Sequence, residues 1–272
     1  MTATSSAKGT ATRKGAVLVV EDNDANRILA LRQLERLGYA AAAARNGREA
    51  LEAIAKHRYS LVLMDCQMPE MDGFETARAI RQGEAAGGER LPIIAMTASA
   101  TERDRLGCLE AGMDDFIAKP VMIGVLSETL ARWHPSGDAA HPATQADGRE
   151  GTGPRSPGPF DPTALRRLRD DLGAEACGRF LDAFMAELPG REAAILQAVQ
   201  DRSERALRLA AHTLKSTSAA VGATALASLC GELEALVSTD TTESAMKDVA
   251  RLRDECRRVL EALEMERAGL GA

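Results

Sequence analysis

The sequence predicts a doubly wound α/β domain with a five-stranded parallel sheet, followed by an all-α domain built as a four-helix bundle. Short β-like runs alternate with helical patterns in the first half of the chain, whereas strand signals vanish in the second half. A stretch rich in Pro and Gly separates the two halves. With 272 residues and 45% hydrophobic composition, the chain can provide each half with its own core.

The first half contains strand-like apolar runs with helical patterns between them. The strand-like runs include 17–20, 61–64, 93–96 and 116–118, and the helical patterns cover 24–37, 47–57, 73–82, 101–111 and 122–133. Five βα units of this kind predict a parallel sheet covered by helices on both faces. We expect this domain to span 15–134 and to follow a disordered segment at 1–14.

The second half is helical throughout. Residues 135–159 are dense in Pro, Gly, Ala, Asp and Thr and predict a flexible linker. Beyond it, apolar residues keep helical spacing at Leu165, Leu168, Leu172, Phe180, Phe184 and Leu188, and in 206–220, 224–236 and 245–263. Pro162 suits the first turn of a helix, and Gly222 marks a break between two later helices. Such helices can bury their apolar stripes only against one another, which predicts a helical domain over 160–266.

Composition excludes several classes of protein. The net charge of −6 argues against a nucleic-acid partner. No apolar segment is long enough to cross a bilayer, and residues 1–15 are polar without an apolar signal core, so we expect a cytoplasmic protein with no membrane insertion. The five cysteines are scattered and form no CxxC pair, which indicates reduced thiols rather than a disulfide framework or a zinc site.

Polar residues follow the strand-like runs at matching positions. Asp65 ends one run, and Glu21 with Asp22, Thr97 and Lys119 end three others. Because the carboxyl ends of parallel strands meet at one edge, three acids would lie together there, and each close pair would repel by about 4 kcal/mol at an effective dielectric of about 20. A divalent cation relieves this repulsion, and oxygen ligands without His or Cys favour Mg²⁺. One carboxylate could then attack a phosphoryl group while Lys119 neutralises charge on it.

Four motifs in the first half together resemble a response-regulator receiver domain over 15–134. They are Val19-Val20-Glu21-Asp22-Asn23, Met64-Asp65-Cys66-Gln67-Met68-Pro69 with Met71-Asp72-Gly73, Met96-Thr97-Ala98 and Lys119-Pro120. The resemblance implies a flavodoxin-like fold with Asp65 as the phosphoacceptor. It also implies that Asp22, Asp65 and the Gln67 backbone carbonyl bind Mg²⁺ (or Mn²⁺), while Glu21 reaches the ion directly or through water.

The same resemblance assigns three further residues. Thr97 and Lys119 are expected to contact the phosphoryl group. Phe116 occupies the position of the switch aromatic, which turns inward together with Thr97 on phosphorylation. Because Phe116 has no hydroxyl group, it cannot send a signal that depends on a tyrosine hydrogen bond.

His212 is the informative residue of the second half. Leu207, Ala210, Ala211, Leu214 and Ser218 form the predicted buried stripe of its helix, and His212 is expected at the exposed edge of that stripe. Arg208, Lys215 and Ser216 lie three or four residues away and share its face. An imidazole between two cations binds a proton poorly, whereas a phosphorylated imidazole would gain charge-assisted partners.

The run Ala211-His212-Thr213-Leu214-Lys215-Ser216, continuing to Gly222 and followed by Leu226, Leu229 and Leu233, resembles the active helix pair of a histidine phosphotransfer (HPt) domain. The similarity extends from Phe160 to Leu263. It implies a four-helix core with an extra N-terminal helix, His212 as phosphoacceptor and Lys215 as the basic residue near the phosphoryl group. Ser216 replaces a glycine that is common in that family, and its small side chain is compatible with docking of a receiver.

These resemblances predict a His-Asp phosphorelay protein, in which transfer from Asp65 to His212 within the chain is a hypothesis. Expected partners are a sensor histidine kinase and other receiver or HPt domains. No glycine-rich ATP-binding lid is present, so we expect a carrier of phosphoryl groups rather than an enzyme. The alternative is a non-catalytic regulator whose receiver switches partner binding, with the HPt domain as a phosphate sink. A haloacid-dehalogenase-like phosphatase fits poorly, because Gln67 stands where its acid/base aspartate would be.

Overall fold

A computed structural model describes residues 14–85, 87–98, 102–133, 158–235 and 242–270. The disordered segment predicted at 1–14 lies outside these residues except for its last residue, and the predicted linker lies outside them up to residue 157. No helix in the described part of the chain is long and apolar enough to cross a membrane.

The first half forms the predicted sheet. Its strands are β1 Lys14–Val20, β2 Tyr39–Ala44, β3 Leu61–Asp65, β4 Ile93–Thr97 and β5 Asp115–Ala118, and its helices are α1 Asp24–Arg36, α2 Gly47–Lys56, α3 Gly73–Ala85, α4 Glu102–Glu110 and α5 Ile123–Trp133. All neighbouring strands pair in parallel, in the order β2-β1-β3-β4-β5. The five-stranded, doubly wound sheet that the sequence predicts is therefore confirmed.

Both faces of this sheet are buried, as expected when helices cover a parallel sheet on each side. Leu18 and Val20 of β1 belong to one apolar cluster. Val17 and Val19, which alternate with them, belong to a second cluster. Strand pairing also aligns the carboxyl ends, since Asp65 lies opposite Met96, the residue before Thr97. The polar residues that follow the strands thus share one edge.

The second half is a bundle. Its helices are α6 Pro162–Leu172, α7 Ala174–Gln200, α8 Glu204–Ala220, α9 Thr224–Glu234 and α10 Thr242–Leu270. Helices α7 to α10 pack on one another as a four-helix core, and α6 is an additional helix against α7 and α8. One apolar cluster fills the bundle and includes the fully buried rings of Phe180 and Phe184. The predicted helical bundle is confirmed.

Gly222 joins α6 to the end of α8. Its φ of +79° is in the left-handed region that favours glycine. A Cβ at this position would lie 2.6 Å from the Cβ atom of Ala164, so a side chain here would push α6 away. The Asp161 N–H donates to the Gly222 carbonyl at 2.9 Å, and the Asp161 carboxylate caps α6 by accepting from the Thr163 N–H at 2.8 Å.

The two halves also touch. Helix α1 packs against α6 and α7 of the bundle. This contact places the carboxyl edge of the sheet beside the helix that carries His212, and it governs the surroundings of both predicted phosphoacceptors.

Candidate functional site

Three carboxylates meet at the carboxyl edge of the sheet. Glu21 and Asp22 follow β1, and Asp65 is the last residue of the adjacent β3. Each of the three provides an oxygen atom that lies within 4.8 Å of the others. Glu21 is 1% exposed and Asp65 is 2% exposed, so water does little to screen the repulsion between their charges. The acidic cluster expected from the strand ends is present, and we call it the acid pocket.

Lys119 is the counter-ion of the acid pocket. Its Nζ lies 2.7 Å from the Glu21 Oε2 and 2.8 Å from the Asp65 Oδ2, and its side chain is only 4% exposed. Burial by itself lowers the pKa of Lys119, but the carboxylates of Asp65 and Glu21 outweigh burial and raise that pKa above its usual range. The ammonium group therefore stays charged at any physiological pH and offsets one of the negative charges.

The remaining negative charge makes the acid pocket suitable for a cation. Burial, followed by repulsion from Asp65, raises the pKa of Glu21 to about 7. Burial and repulsion from Glu21 raise the pKa of Asp22 to about 6. Among the residues that the structure describes, the Asp22 Oδ1 is buried without a hydrogen-bond partner. Three carboxylates, one of which has an oxygen atom free of hydrogen bonds to these residues, are a donor set that fits a hard divalent ion.

The loop after β3 turns back sharply on Asp65. The Gly73 N–H donates to the Cys66 carbonyl at 3.2 Å, and a Cβ on Gly73 would lie only 2.1 Å from the Asp65 carbonyl oxygen. Glycine therefore allows α3 to begin directly against the end of β3. The same turn holds Gln67 beside the acid pocket, where its N–H donates to the Asp65 Oδ1 at 3.2 Å.

Thr97 and Phe116 occupy the neighbouring strands. Thr97 ends β4 and is buried, and its carbonyl accepts from the Lys119 N–H at 2.7 Å. Phe116 lies in β5, is partly buried and packs against the apolar cluster on one face of the sheet. Both residues therefore lie near Lys119, since Phe116 shortly precedes it in the chain and Thr97 lies on the neighbouring strand. The switch roles of Thr97 and Phe116 stay predictions.

His212 is buried, and the expectation of an exposed imidazole is wrong. Only 3% of the residue is accessible. Helix α9 covers it on one side through Glu234, and the receiver half approaches the next turn of α8, where the Asn26 Nδ2 donates to the Ser216 Oγ at 3.1 Å. Helical spacing describes one helix and could not show either neighbour.

Glu234 holds His212 in place. The Glu234 Oε1 lies 2.8 Å from the His212 Nδ1, and its Oε2 accepts from the Lys215 Nζ at 3.0 Å. Burial favours the neutral acid, but the hydrogen bonds and charges of His212 and Lys215 outweigh burial and lower the pKa of Glu234. An ionised Glu234 favours the tautomer with a proton on Nδ1. The His212 Nε2 then carries the lone pair, and that atom is buried with no hydrogen-bond partner in the described part of the chain.

Arg208 does not accompany His212 as the spacing suggested. Its guanidinium pairs with Glu204 at 2.6 Å, one turn earlier on α8. Helical spacing predicts cations on both sides of the imidazole, whereas the described residues place one cation, Lys215, and one carboxylate, Glu234, beside it. Glu234 gave no signal in the sequence because it lies on a different helix.

Asn26 connects the two sites. Its Nδ2 donates to the Glu21 Oε1 at 3.1 Å and to the Ser216 Oγ at 3.1 Å. A cleft of about 790 Å³ also opens between the two domains, with the loop after Asp65 on one side and the start of α8 on the other. Gln67, Met68, Arg205 and Arg208 are among its lining residues. The acid pocket and the His212 helix therefore belong to one interface.

Fold and sites together define a receiver domain followed by a histidine phosphotransfer domain. Residues 17–131 match the response regulator receiver domain, and residues 179–265 match the Hpt domain. The chain contains both, in an arrangement known from hybrid histidine kinases.

Two curated relatives illustrate the similarity. The sensor protein GacS of Pseudomonas syringae pv. syringae is 31% identical over 258 residues, which cover 90% of this chain and 28% of that protein. The hybrid signal transduction protein dokA of Dictyostelium discoideum is 47% identical over 129 residues, 47% of this chain and 8% of that protein. The chain therefore spans less than a third of either relative.

A solved structure with a similar sequence is the receiver domain of a sensor histidine kinase from Pseudomonas aeruginosa PAO1, which has a magnesium ion coordinated in its active-site cleft. It is 41% identical and covers 45% of this chain and 99% of its own, with a TM-score of 0.42.

Proposed function

We propose that this chain carries phosphoryl groups in a His-Asp phosphorelay, with Asp65 and His212 as its two phosphoacceptors and with direct transfer between them. The observation that carries this proposal is the side chain of Asn26, which hydrogen-bonds both to the acid pocket and to the helix of His212. A shared interface of this kind is what two phosphoacceptors need in order to exchange a group without releasing it to water.

The transfer step follows from the atoms at the two sites. The His212 Nε2 attacks the phosphorus of phosphorylated Asp65, so that a P–N bond forms while the bond to the Asp65 oxygen breaks. Asp65 leaves as a carboxylate and regains its ion pair with Lys119. The proton on the His212 Nδ1 stays hydrogen-bonded to Glu234, whose negative charge stabilises the cationic ring that forms. The reverse transfer uses the same groups.

The acid pocket would hold Mg²⁺ or Mn²⁺ through Asp22, Asp65 and the Gln67 backbone carbonyl, with Glu21 as a direct or water-bridged ligand. When bound, such an ion neutralises charge on the phosphoryl oxygens. Thr97 hydrogen-bonds a phosphoryl oxygen on Asp65 and, with Phe116, reports its presence to the rest of the domain. Lys215 pairs with the phosphoryl group on His212. The partners are a sensor histidine kinase and other receiver or Hpt domains.

The test is whether transfer from Asp65 to His212 has first-order kinetics, as a reaction within one chain should. We expect acetyl phosphate, with Mg²⁺, to phosphorylate Asp65 in dilute protein, and acid-labile label to appear on His212 afterwards. Because both acceptors are on one chain, the rate constant of the second step should not change when the protein is diluted about 100-fold, since the tether supplies an effective concentration in the mM range. Quantifying acid-labile and base-labile label over time measures both steps.

An Asp65→Asn variant is the control, because label that reaches His212 in this variant has not passed through Asp65. A second step whose rate falls in proportion to protein concentration would contradict transfer within the chain. It would instead indicate transfer between molecules.

Glu234 is expected to position His212. Replacing Glu234 with Ala removes a charge-assisted hydrogen bond of about 1.5 to 3 kcal/mol, which corresponds to roughly 10- to 150-fold slower labelling of His212. The labelling rate of Glu234→Gln should lie between the rates of Glu234→Ala and of the natural chain, because the Gln amide oxygen still accepts from the His212 Nδ1. Glu232→Ala is the matched control, since Glu232 lies on the same helix and pairs with Arg251. Equal labelling rates in Glu234→Ala and Glu232→Ala would exclude the positioning role.

A further inference from the structure

Helix α1 of the receiver domain has two apolar faces. Ala30 and Leu34 point into the receiver's own core. Ala25 and Leu29, which are also four residues apart, belong to the apolar cluster of the Hpt domain, where they are 0% and 5% exposed. A receiver domain alone needs only the first of these faces. The second face is buried by the Hpt domain, so these two receiver residues belong to the apolar core of the Hpt domain.

Polar contacts fix the orientation of α1 at its start. The Asn23 side chain donates to the Glu187 Oε2, and the Asp24 N–H donates to the Glu187 Oε1 at 3.1 Å. The Arg191 guanidinium, one turn further along α7, lies 3.9 Å from the Asp22 Oδ2. The Glu187 carboxylate of α7 thus accepts from the two donors at the beginning of α1. The Arg191 cation of α7 lies beside the acid there, Asp22.

A second set of contacts fixes the other end of α1. The Arg36 guanidinium donates to the carbonyl groups of Asp170 and Asp171. These carbonyls belong to the last turn of α6, where backbone acceptors have no partner within the helix. Arg36 therefore caps a helix of the other domain, and α1 is held at both ends as well as along its apolar face.

Both phosphoacceptors are buried in this docked arrangement, since Asp65 is 2% and His212 is 3% exposed. We propose that α1 closes the chain on itself, so that another protein's phosphoacceptor reaches Asp65 or His212 only after the two domains separate. The occupant of the Hpt surface around His212 is this chain's own receiver domain, and a separate receiver must compete with it. The inference rests on the proposed function, to which it adds a gate between transfer inside the chain and exchange with partners.

The test uses Leu29→Arg, which places a charge in the apolar contact between α1 and the Hpt domain and should therefore separate the two domains. We expect phosphorylated His212 of this variant to pass its label to Asp65 of a separately added, affinity-tagged full chain that carries His212→Gln, at least 10-fold faster than the natural chain does. Glu35→Arg is the matched control, because Glu35 lies on the same helix, is exposed and pairs with Arg32. Equal rates in all three proteins would overturn the proposal.

Arg36→Glu provides a second way to open the gate. Arg36 is exposed and its guanidinium donates to carbonyl groups of α6, so its replacement leaves the receiver core intact. We expect a smaller acceleration, roughly 3-fold, because the apolar contact remains. Circular dichroism of each variant shows whether it is folded, and a folded Arg36→Glu protein with an unchanged rate would count against the gate even if Leu29→Arg fails to fold.

A measurement without phosphoryl chemistry separates this inference from the proposed function. Small-angle scattering of the unphosphorylated chain should give a smaller radius of gyration for the natural protein than for Leu29→Arg. Separated domains in the natural chain would refute closure and leave the phosphorelay intact. A closed chain in which no label moves from Asp65 to His212 would refute the proposed transfer instead.

Discussion

Replacing His212 with Gln is expected to abolish the acid-labile phosphoryl label on this chain, a loss of at least about 1,000-fold, while label on Asp65 remains. Gln can still hydrogen-bond to Glu234, but it has no nucleophilic nitrogen in place of Nε2, so no P–N bond can form. Label on Asp65 should persist longer than in the natural chain because its route to His212 is blocked. Time courses of base-labile and acid-labile label, started with acetyl phosphate, measure both effects.

The matched control for this substitution is His57→Gln. His57 is exposed and follows α2 in the receiver domain, away from both sites. It should not change either label. If acid-labile label persists in His212→Gln at its normal level, another residue is the phosphoacceptor and the proposed relay is wrong.

Replacing Lys119 with Gln is expected to destabilise the receiver domain strongly. Glu21 and Asp65 would lose the counter-ion that lies 2.7 and 2.8 Å from them. Removing one partner of a buried ion pair costs about 3 to 5 kcal/mol, because a charge is left without compensation. Urea unfolding at pH 8 without divalent ions measures this loss. The single Trp of the chain, Trp133 in α5, reports unfolding of the receiver domain by its fluorescence.

The loss of stability caused by Lys119→Gln should change with pH in a definite direction. Burial and Asp65 already raise the pKa of Glu21 to about 7, and loss of the ammonium raises it further. A carboxyl whose folded-state pKa is raised destabilises the fold when it is ionised, above that pKa, and this cost disappears as pH falls towards the ordinary value of 4.5. Lys119 itself stays protonated across this range. The stability difference from the natural chain should therefore be largest at pH 8 and smallest near pH 5.

Added Mg²⁺ should reduce the loss in Lys119→Gln, because the ion supplies positive charge to the same carboxylates. Lys56→Gln is the control, since Lys56 is exposed and pairs with Glu52 on the surface of α2. A pH-independent loss in Lys119→Gln, unaffected by Mg²⁺, would show that the carboxylates do not depend on Lys119 for compensation. Phosphorylation of Asp65 should also become much slower, since Lys119 no longer offsets charge on the transferring group.

Much of the acid pocket could be predicted from local patterns. Apolar runs that end in Glu21, Asp65 and Thr97 indicate buried strands, and parallel strands bring such ends to one edge whatever the loops between them do. The bundle is predictable as well, because helical spacing of apolar residues states which face each helix must bury. Ala25 and Leu29, four residues apart, have the spacing of a second apolar face on α1, but that spacing does not say which domain covers the face.

Local patterns in the sequence were thus enough to predict the two folds and the residues of the acid pocket, and they single out His212 as the expected phosphoacceptor of the second domain. The burial of His212, the contact of Glu234 with its Nδ1 and the connection of the two sites through Asn26 appear only when the chain is folded. The physical reason is the range of the contacts. Periodicity within one helix or strand reports which side is buried, whereas His212 and Glu234 meet through the packing of two helices, and Asn26 and Ser216 through the docking of two domains.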